Sequence, residues 1–291
     1  GSHVDFYMQY IEDPQWVSYK TDDGQEFTHI FDYLLDGKKT MRAAWTPGIT
    51  VDMMERTANI DYKELGDRCK KLKELFTNAN FVHVTAPAGT DVKIPIKNRE
   101  LLFDDGDFSK PGTGGNIPAG EVYISPVVGK TEGKIVFDGS ISSTSKDMLV
   151  KNPVCLQVEN GFITKVYSQG QSPDSLPEKN SEAKKLLDCT IEAEKSAIQR
   201  EKEGKIPAGS GEILKRNARN IGELGIGLNP NARITGNMLE DEKAFRTCHF
   251  AIGQNYDGDA NALIHLDCLV KNPTIVAFFK DGSSKTILSN G

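Results

Sequence analysis

Asn160-Gly161 joins two stretches that alternate apolar and polar residues, 154–159 and 162–167. An Asn-Gly pair between such runs specifies a two-residue hairpin turn, because both turn residues must take positive φ. The chain is committed to antiparallel pairing there, and its surroundings have the same character. Residues 81–85, 92–96, 121–125, 134–137 and 140–141 read as strands, and 274–279 with 285–288 reads as a last hairpin across Asp281-Gly282. Helical periodicity is rarer. Asp61 caps a helix over 62–76, with Leu65, Cys69, Leu72 and Phe76 on one face. Residues 180–203 form a long polar helix striped by Ala183, Leu186, Leu187, Ile191 and Ile198. Thr50 caps a shorter helix over 51–56, residues 27–35 read as another, and 104–116 read as a long loop rich in Gly, Asp and Pro. Many antiparallel strands with few helices predict an α+β fold. The expected division is a mostly antiparallel main domain over 81–291, preceded by the remainder of an N-terminal α/β lobe over 4–80. Gly1-Ser2-His3 reads as a tag remnant, and the abrupt start at Val4 as the trace of a longer natural chain.

With 291 residues the chain is long enough for a large core. A net charge of −6 excludes nucleic acid as the main partner, since phosphate binding needs a basic surface. No apolar run reaches membrane-spanning length. The five cysteines (69, 155, 189, 248 and 268) are scattered and contain no CxxC, which predicts free thiols in a reducing cytoplasm.

The chain has five histidines, and His3 belongs to the tag remnant. His249 and His265 fall close together, and His265-Leu266-Asp267 places a carboxylate two residues from an imidazole. In a strand, positions i and i+2 face the same side, so His265 and Asp267 reach one metal ion together. His249 would be a third ligand and Tyr256 a fourth. Imidazole plus carboxylate suits zinc, cobalt, manganese or non-haem iron. The competing reading is an ordinary hydrogen-bonded His–Asp pair. His83, in an alternating strand, reads as a core or surface residue. Gly112–Gly115 lacks the strand-to-helix setting of a phosphate loop and reads as an approach to Glu121.

Glu121 and Glu223 each sit among apolar residues and glycines. A carboxylate so placed is buried and needs a metal or a partner, and Arg219 or Arg233 would serve as the partner. Together, Glu121, Glu223, His249, Tyr256, His265 and Asp267 would hold two metals around a shared water, as two-metal hydrolases do.

The motifs containing these residues are Asn116-Ile117-Pro118-Ala119-Gly120-Glu121-Val122-Tyr123, Gly222-Glu223-Leu224-Gly225, His249-Phe250-Ala251-Ile252-Gly253, Tyr256 and His265-Leu266-Asp267. In that order, with Pro47–Met53 and Gly89-Thr90-Asp91, the chain resembles the thermophilic metallo-aminopeptidase family of aminopeptidases T and S and aminopeptidase II. The resemblance implies a dinuclear site of zinc, cobalt or manganese on those six residues, a peptide substrate and a homodimer. Glu121 or Glu223 would relay protons, and Tyr256 would ligate or steady an oxyanion. The same fold family is also similar to an iron-dependent dioxygenase that opens dihydroxypyridine rings. His249, His265 and Asp267 alone would make its two-histidine, one-carboxylate Fe(II) site. The sequence thus leads to an aminopeptidase-like hydrolase, with a mononuclear dioxygenase and a non-catalytic metal-binding protein as alternatives.

Overall fold

The computed structural model describes residues 19–27, 30 and 33–291. The tag remnant and residues 4–18 lie outside the described residues. Two seven-stranded sheets dominate. The first runs in the order Met148–Leu149, Ser140–Ile141, His265–Lys271, Thr247–Gly253, Ile221–Gly227, Glu121–Ile124 and Leu102–Asp104. The second runs Phe162–Ser168, Val154–Glu159, Glu132–Phe137, Asp91–Pro95, Ala79–Thr85, Thr274–Phe279 and Ser284–Leu288. Every pairing inside both sheets is antiparallel. The fold is α+β, as the strand pattern predicted.

The Asn160-Gly161 hairpin forms with both residues at positive φ, 50° and 80°, and with Glu159 opposite Phe162. The helix Tyr62–Phe76 is capped as expected. Asp61 accepts hydrogen bonds from the backbone N–H of Lys63 (2.9 Å) and Glu64 (3.1 Å). Thr50 caps its own turn by accepting from Met53 N at 3.2 Å.

Alternation in the first sheet sorts its side chains into two sets. Val122, Ile124, Leu224, Ile226, Cys248, Phe250, Ile252, Leu266, Cys268 and Val270 enter the shared core, where they meet Val82, Ile94, Ile135 and Leu156 of the second sheet. Leu65, Cys69 and Leu186 from the two long helices enter the same core. The intervening positions, which include Glu121, Glu223, His249, His265 and Asp267, share the opposite face, because residues directly opposite in a ladder point the same way. Gly225 lies across from both His249 and Tyr123, Gly227 from Glu121, and Ala251 from both Glu223 and Asp267. A register slip of one residue would bury the charged set in the core and expose the apolar one.

Three local expectations change. Phe27 lies in the strand Glu26–Phe27, and of the helix expected over 27–35 residues 33–35 fall in the helical turn Tyr33–Gly37, while 28–29 and 31–32 lie outside the described residues. Residues 104–116 are not all loop, because Gly114–Asn116 forms a parallel pair with Ala43–Trp45. The long helix spans Glu182–Lys202 and packs through Ala183, Leu186, Cys189, Ala193 and Ala197, with Leu187, Ile191 and Ile198 half-buried at its flank. Small side chains facing the core let the helix lie close to the sheet.

Candidate metal centre

Four strands of the first sheet deliver the charged face. Glu121 opens its strand, His265 and Asp267 stand at positions one and three of theirs, and Glu223 and His249 come from the central pair. Glu121, Glu223 and His249 are buried. His249 Nε2 lies 3.0 Å from Glu223 Oε1 and 3.4 Å from Glu121 Oε2. His265 Nε2 lies 3.4 Å from Asp267 Oδ1 and 3.7 Å from Glu223 Oε2. His265 Nδ1 donates to the Gln254 carbonyl at 2.9 Å, which turns Nε2 toward the carboxylates. These donors form two groups able to hold an ion, Glu121–Glu223–His249 and Glu223–His265–Asp267, which share Glu223.

Opposed charges set the protonation of this cluster. Burial alone would lower both imidazole pKa values. The hydrogen bond to Glu223 and the charges of Glu121, Glu223 and Asp267 instead raise His249 to about 9. Burial is likewise outweighed at His265, chiefly by Asp267 and then by Glu223, and its pKa rises to about 10. Burial raises the Glu223 carboxyl, while the two imidazoliums, His265 foremost, hold Asp267 far below the usual range.

Donor chemistry and spacing fit a metal. Ligand atoms at about 2.1 Å from one ion lie roughly 3.0–3.4 Å from each other, close to the separations found. Glu121 Oε2, Glu223 Oε2, Asp267 Oδ1 and His249 Nδ1 are buried without hydrogen-bond partners. Unsatisfied buried carboxylate oxygens are costly, and three of them converging on two imidazoles mark a place shaped for a cation.

The centre lies at the base of a cavity of about 800 Å³. Trp45, Phe103, Phe108, Tyr123 and Tyr256 give it aromatic walls, and Asp36, Asp105 and Asp107 line it with acid. Tyr256 is 60% exposed and comes from the loop after Gly253. Its ring centroid is 5.1 Å from that of Tyr123 and 5.3 Å from that of His265, so it roofs the cluster. Tyr123 keeps its proton, because burial and the carboxylates Glu121 and Glu223 push its pKa up. The Tyr256 loop is clasped by Arg99, whose guanidinium lies 2.8 Å from Asp257 and 2.6 Å from Asp259. Arg99→Ala is expected to speed amide exchange across residues 254–260 while costing at most about 1 kcal/mol of global stability, since the pairs are partly exposed. Hydrogen exchange with a thermal melt checks both.

The structure brings Glu121, Glu223, His249, Tyr256, His265 and Asp267 together, but the arginines offered by the sequence as carboxylate partners are engaged elsewhere. Arg219 pairs with Glu194 (Nη2 to Oε2, 3.3 Å), and the Arg233 backbone N–H donates to Glu240. The partner of Glu121 is Lys243, whose Nζ lies 2.6 Å from Oε1. Gly225 was also missed. A Cβ there would be driven into the His249 ring, so only glycine leaves room for that imidazole. Trp45 lines the cavity, and His83 stays outside it, 2.6 Å from Asp91.

Residues 49–176 match the model of a family described as NicX, 2,5-dihydroxypyridine 5,6-dioxygenase. No curated protein matches the chain. Among solved structures, a 2,5-dihydroxypyridine dioxygenase from Pseudomonas putida KT2440 is similar at TM-score 0.60 and 20% identity, over 82% of this chain and 61% of that one. Wild-type AmpT from Thermus thermophilus is similar at TM-score 0.57 and 16% identity, over 82% of this chain and 57% of that one. At such identities both likenesses show a shared fold, and this chain spans about three-fifths of the length of either protein. The expectation of a metallo-aminopeptidase is overturned, and with it the hydrolase and proteolytic reading. The family matched over 49–176 is described as a dioxygenase, and the likenesses to both solved structures are of fold. Among the described residues no helix is long and apolar enough to cross a membrane.

Proposed function

We propose that this chain carries the catalytic centre of a ring-opening dioxygenase that uses one ferrous ion and acts on a hydroxylated aromatic ring such as a dihydroxypyridine. The observation that carries this reading is the set of unpartnered carboxylate oxygens and imidazoles at the base of an aromatic-walled cavity. His265, Asp267 and Glu223 would hold the ion on the cavity side, with His249 behind them. A mixed imidazole and carboxylate set with open positions suits Fe(II). The family matched over 49–176 and the dioxygenase fold support the same chemistry.

A bound ferrous ion would mediate the transfer of electrons from the organic ring to dioxygen. The other work falls to this chain's side chains. Trp45, Phe103 and Phe108 offer flat apolar surface for a ring to pack on. Tyr123, held neutral, offers a hydroxyl donor at the cavity wall, and Tyr256 covers the opening above His265. The Gln254 carbonyl fixes the His265 tautomer, so Nε2 is the free nitrogen. Opening a dihydroxylated ring with dioxygen places both oxygen atoms in the product, and the ring itself provides all four electrons. No separate reductant binding site is required. The acidic lining further favours neutral or cationic rings over carboxylated ones, by like-charge repulsion.

Oxygen uptake after anaerobic loading with Fe(II) tests the proposal. Uptake is expected with 2,5-dihydroxypyridine, roughly one dioxygen per ring opened, and at least about tenfold less with 2,5-dihydroxybenzoate. Iron-loaded protein that consumes no oxygen with any dihydroxylated ring would sink it.

A further inference from the structure

The two donor groups that share Glu223 leave room, on ligand count alone, for two metal ions. A buried cationic side chain of the protein stands beside one of these places, on Glu121. Lys243 follows the short helix Met238–Asp241, and its side chain is wholly buried. Its Nζ lies 2.6 Å from Glu121 Oε1 and 2.9 Å from Asn116 Oδ1, and it also pairs with Glu242. All three ammonium donors are therefore used, one of them on Glu121. Among the described residues no lysine or arginine forms an ion pair with Asp267, whose near neighbour is the His265 imidazole.

We propose that Lys243 is a built-in cation that fills the second-ion place beside Glu121 and so limits the centre to a single metal. The inference rests on the metal-centre reading above. A divalent ion bound by Glu121, Glu223 and His249 would share Glu121 with the ammonium in a site closed to water, where like charges repel strongly. The Glu223–His265–Asp267 group does not meet this obstacle and opens to the cavity. Lys243 has a second effect. By anchoring Oε1, it leaves Glu121 Oε2 facing His249 Nε2 at 3.4 Å, so it positions the inner imidazole through Glu121.

The test is Mn(II) binding by equilibrium dialysis with electron paramagnetic resonance, on wild type, Lys243→Met, and Lys243→Met combined with Glu242→Gln. The combined variant removes one acid along with the lysine, so it leaves a single uncompensated carboxylate, Glu121, and guards against a folding failure of the single variant. Wild type is expected to saturate at one ion per chain with the spectrum of an isolated Mn(II). The combined variant is expected to take up two, to show spin coupling between them, and to return to one when Glu121→Gln is added. Two coupled ions in wild type would overturn the proposal, as would variants that stay at one ion with unchanged affinity. The wild-type spectrum decides this point even if neither variant folds. No bound ion in wild type would remove the metal centre itself and this role of Lys243 with it, a result distinct from one ion in every protein, which would refute the lysine's role alone.

Discussion

His265→Ala is expected to lower ferrous-ion affinity by more than about 100-fold, since loss of even an outer partner of a metal ligand costs 10–100-fold. Oxygen uptake should disappear with it. The reason is geometric. His265 Nε2 stands between Asp267 Oδ1 at 3.4 Å and Glu223 Oε2 at 3.7 Å, and both oxygens lack any hydrogen-bond partner. Removing the imidazole leaves two buried carboxylates facing a gap, with the ion's most accessible nitrogen gone. The fold should survive, because His265 is the first residue of its strand and its ring faces the cavity rather than the core. His83→Ala serves as the control. That residue is 40% exposed at the side chain and pairs with Asp91 away from the centre, so metal uptake should be unchanged. Dialysis against Fe(II) under anaerobic conditions, followed by elemental analysis, reads both variants. A His265→Ala protein that retains wild-type iron would mean that the ion is held elsewhere.

Gly225→Ala is the second large effect expected. Gly225 lies directly opposite His249 in the ladder, and a Cβ at this position would overlap Nε2 and Cε1 of the ring. The ring has little space to retreat into, since His249 is fully buried and closes against Glu223 and Glu121. One methyl group should therefore cost about 1–3 kcal/mol of stability through overpacking. It should also pull Nε2 away from the carboxylates and weaken metal binding at least about tenfold, as misplacing a ligand's support does. Chemical denaturation and metal titration measure the two effects separately. A stable variant with wild-type affinity would show that the imidazole does not depend on the space that glycine leaves.

The parts of this site visible in the sequence are those written in the alternation of strands. In Ile221–Gly227, Thr247–Gly253 and His265–Lys271, every second residue is apolar and enters the core, so the intervening Glu223, His249, His265 and Asp267 had to share the other face. The scarcity of histidine then made His249 and His265 conspicuous. Lys243 was not visible for a different reason. It ends the charged run Glu240-Asp241-Glu242-Lys243, and only the tertiary fold buries Glu240, Asp241 and Lys243. Gly225 looked like one more small residue, because its significance depends on which residue pairs with it across the ladder. Gly114–Asn116 was taken for loop because two of its three residues are glycine, yet the partner Ala43–Trp45 holds it as a strand. The reaction class was the least legible feature. An ordered set of carboxylates and imidazoles is common to hydrolytic and oxygen-using centres, and the residues that separate one ion from two lay outside the motifs.

The most direct measurement is an anomalous diffraction map at the iron edge, from crystals loaded with Fe(II) without oxygen. The account predicts one peak per chain, within about 2.0–2.3 Å of His265 Nε2 and an Asp267 oxygen, with Lys243 still bound to Glu121. Two peaks sharing Glu223, or no peak at these residues, would contradict it.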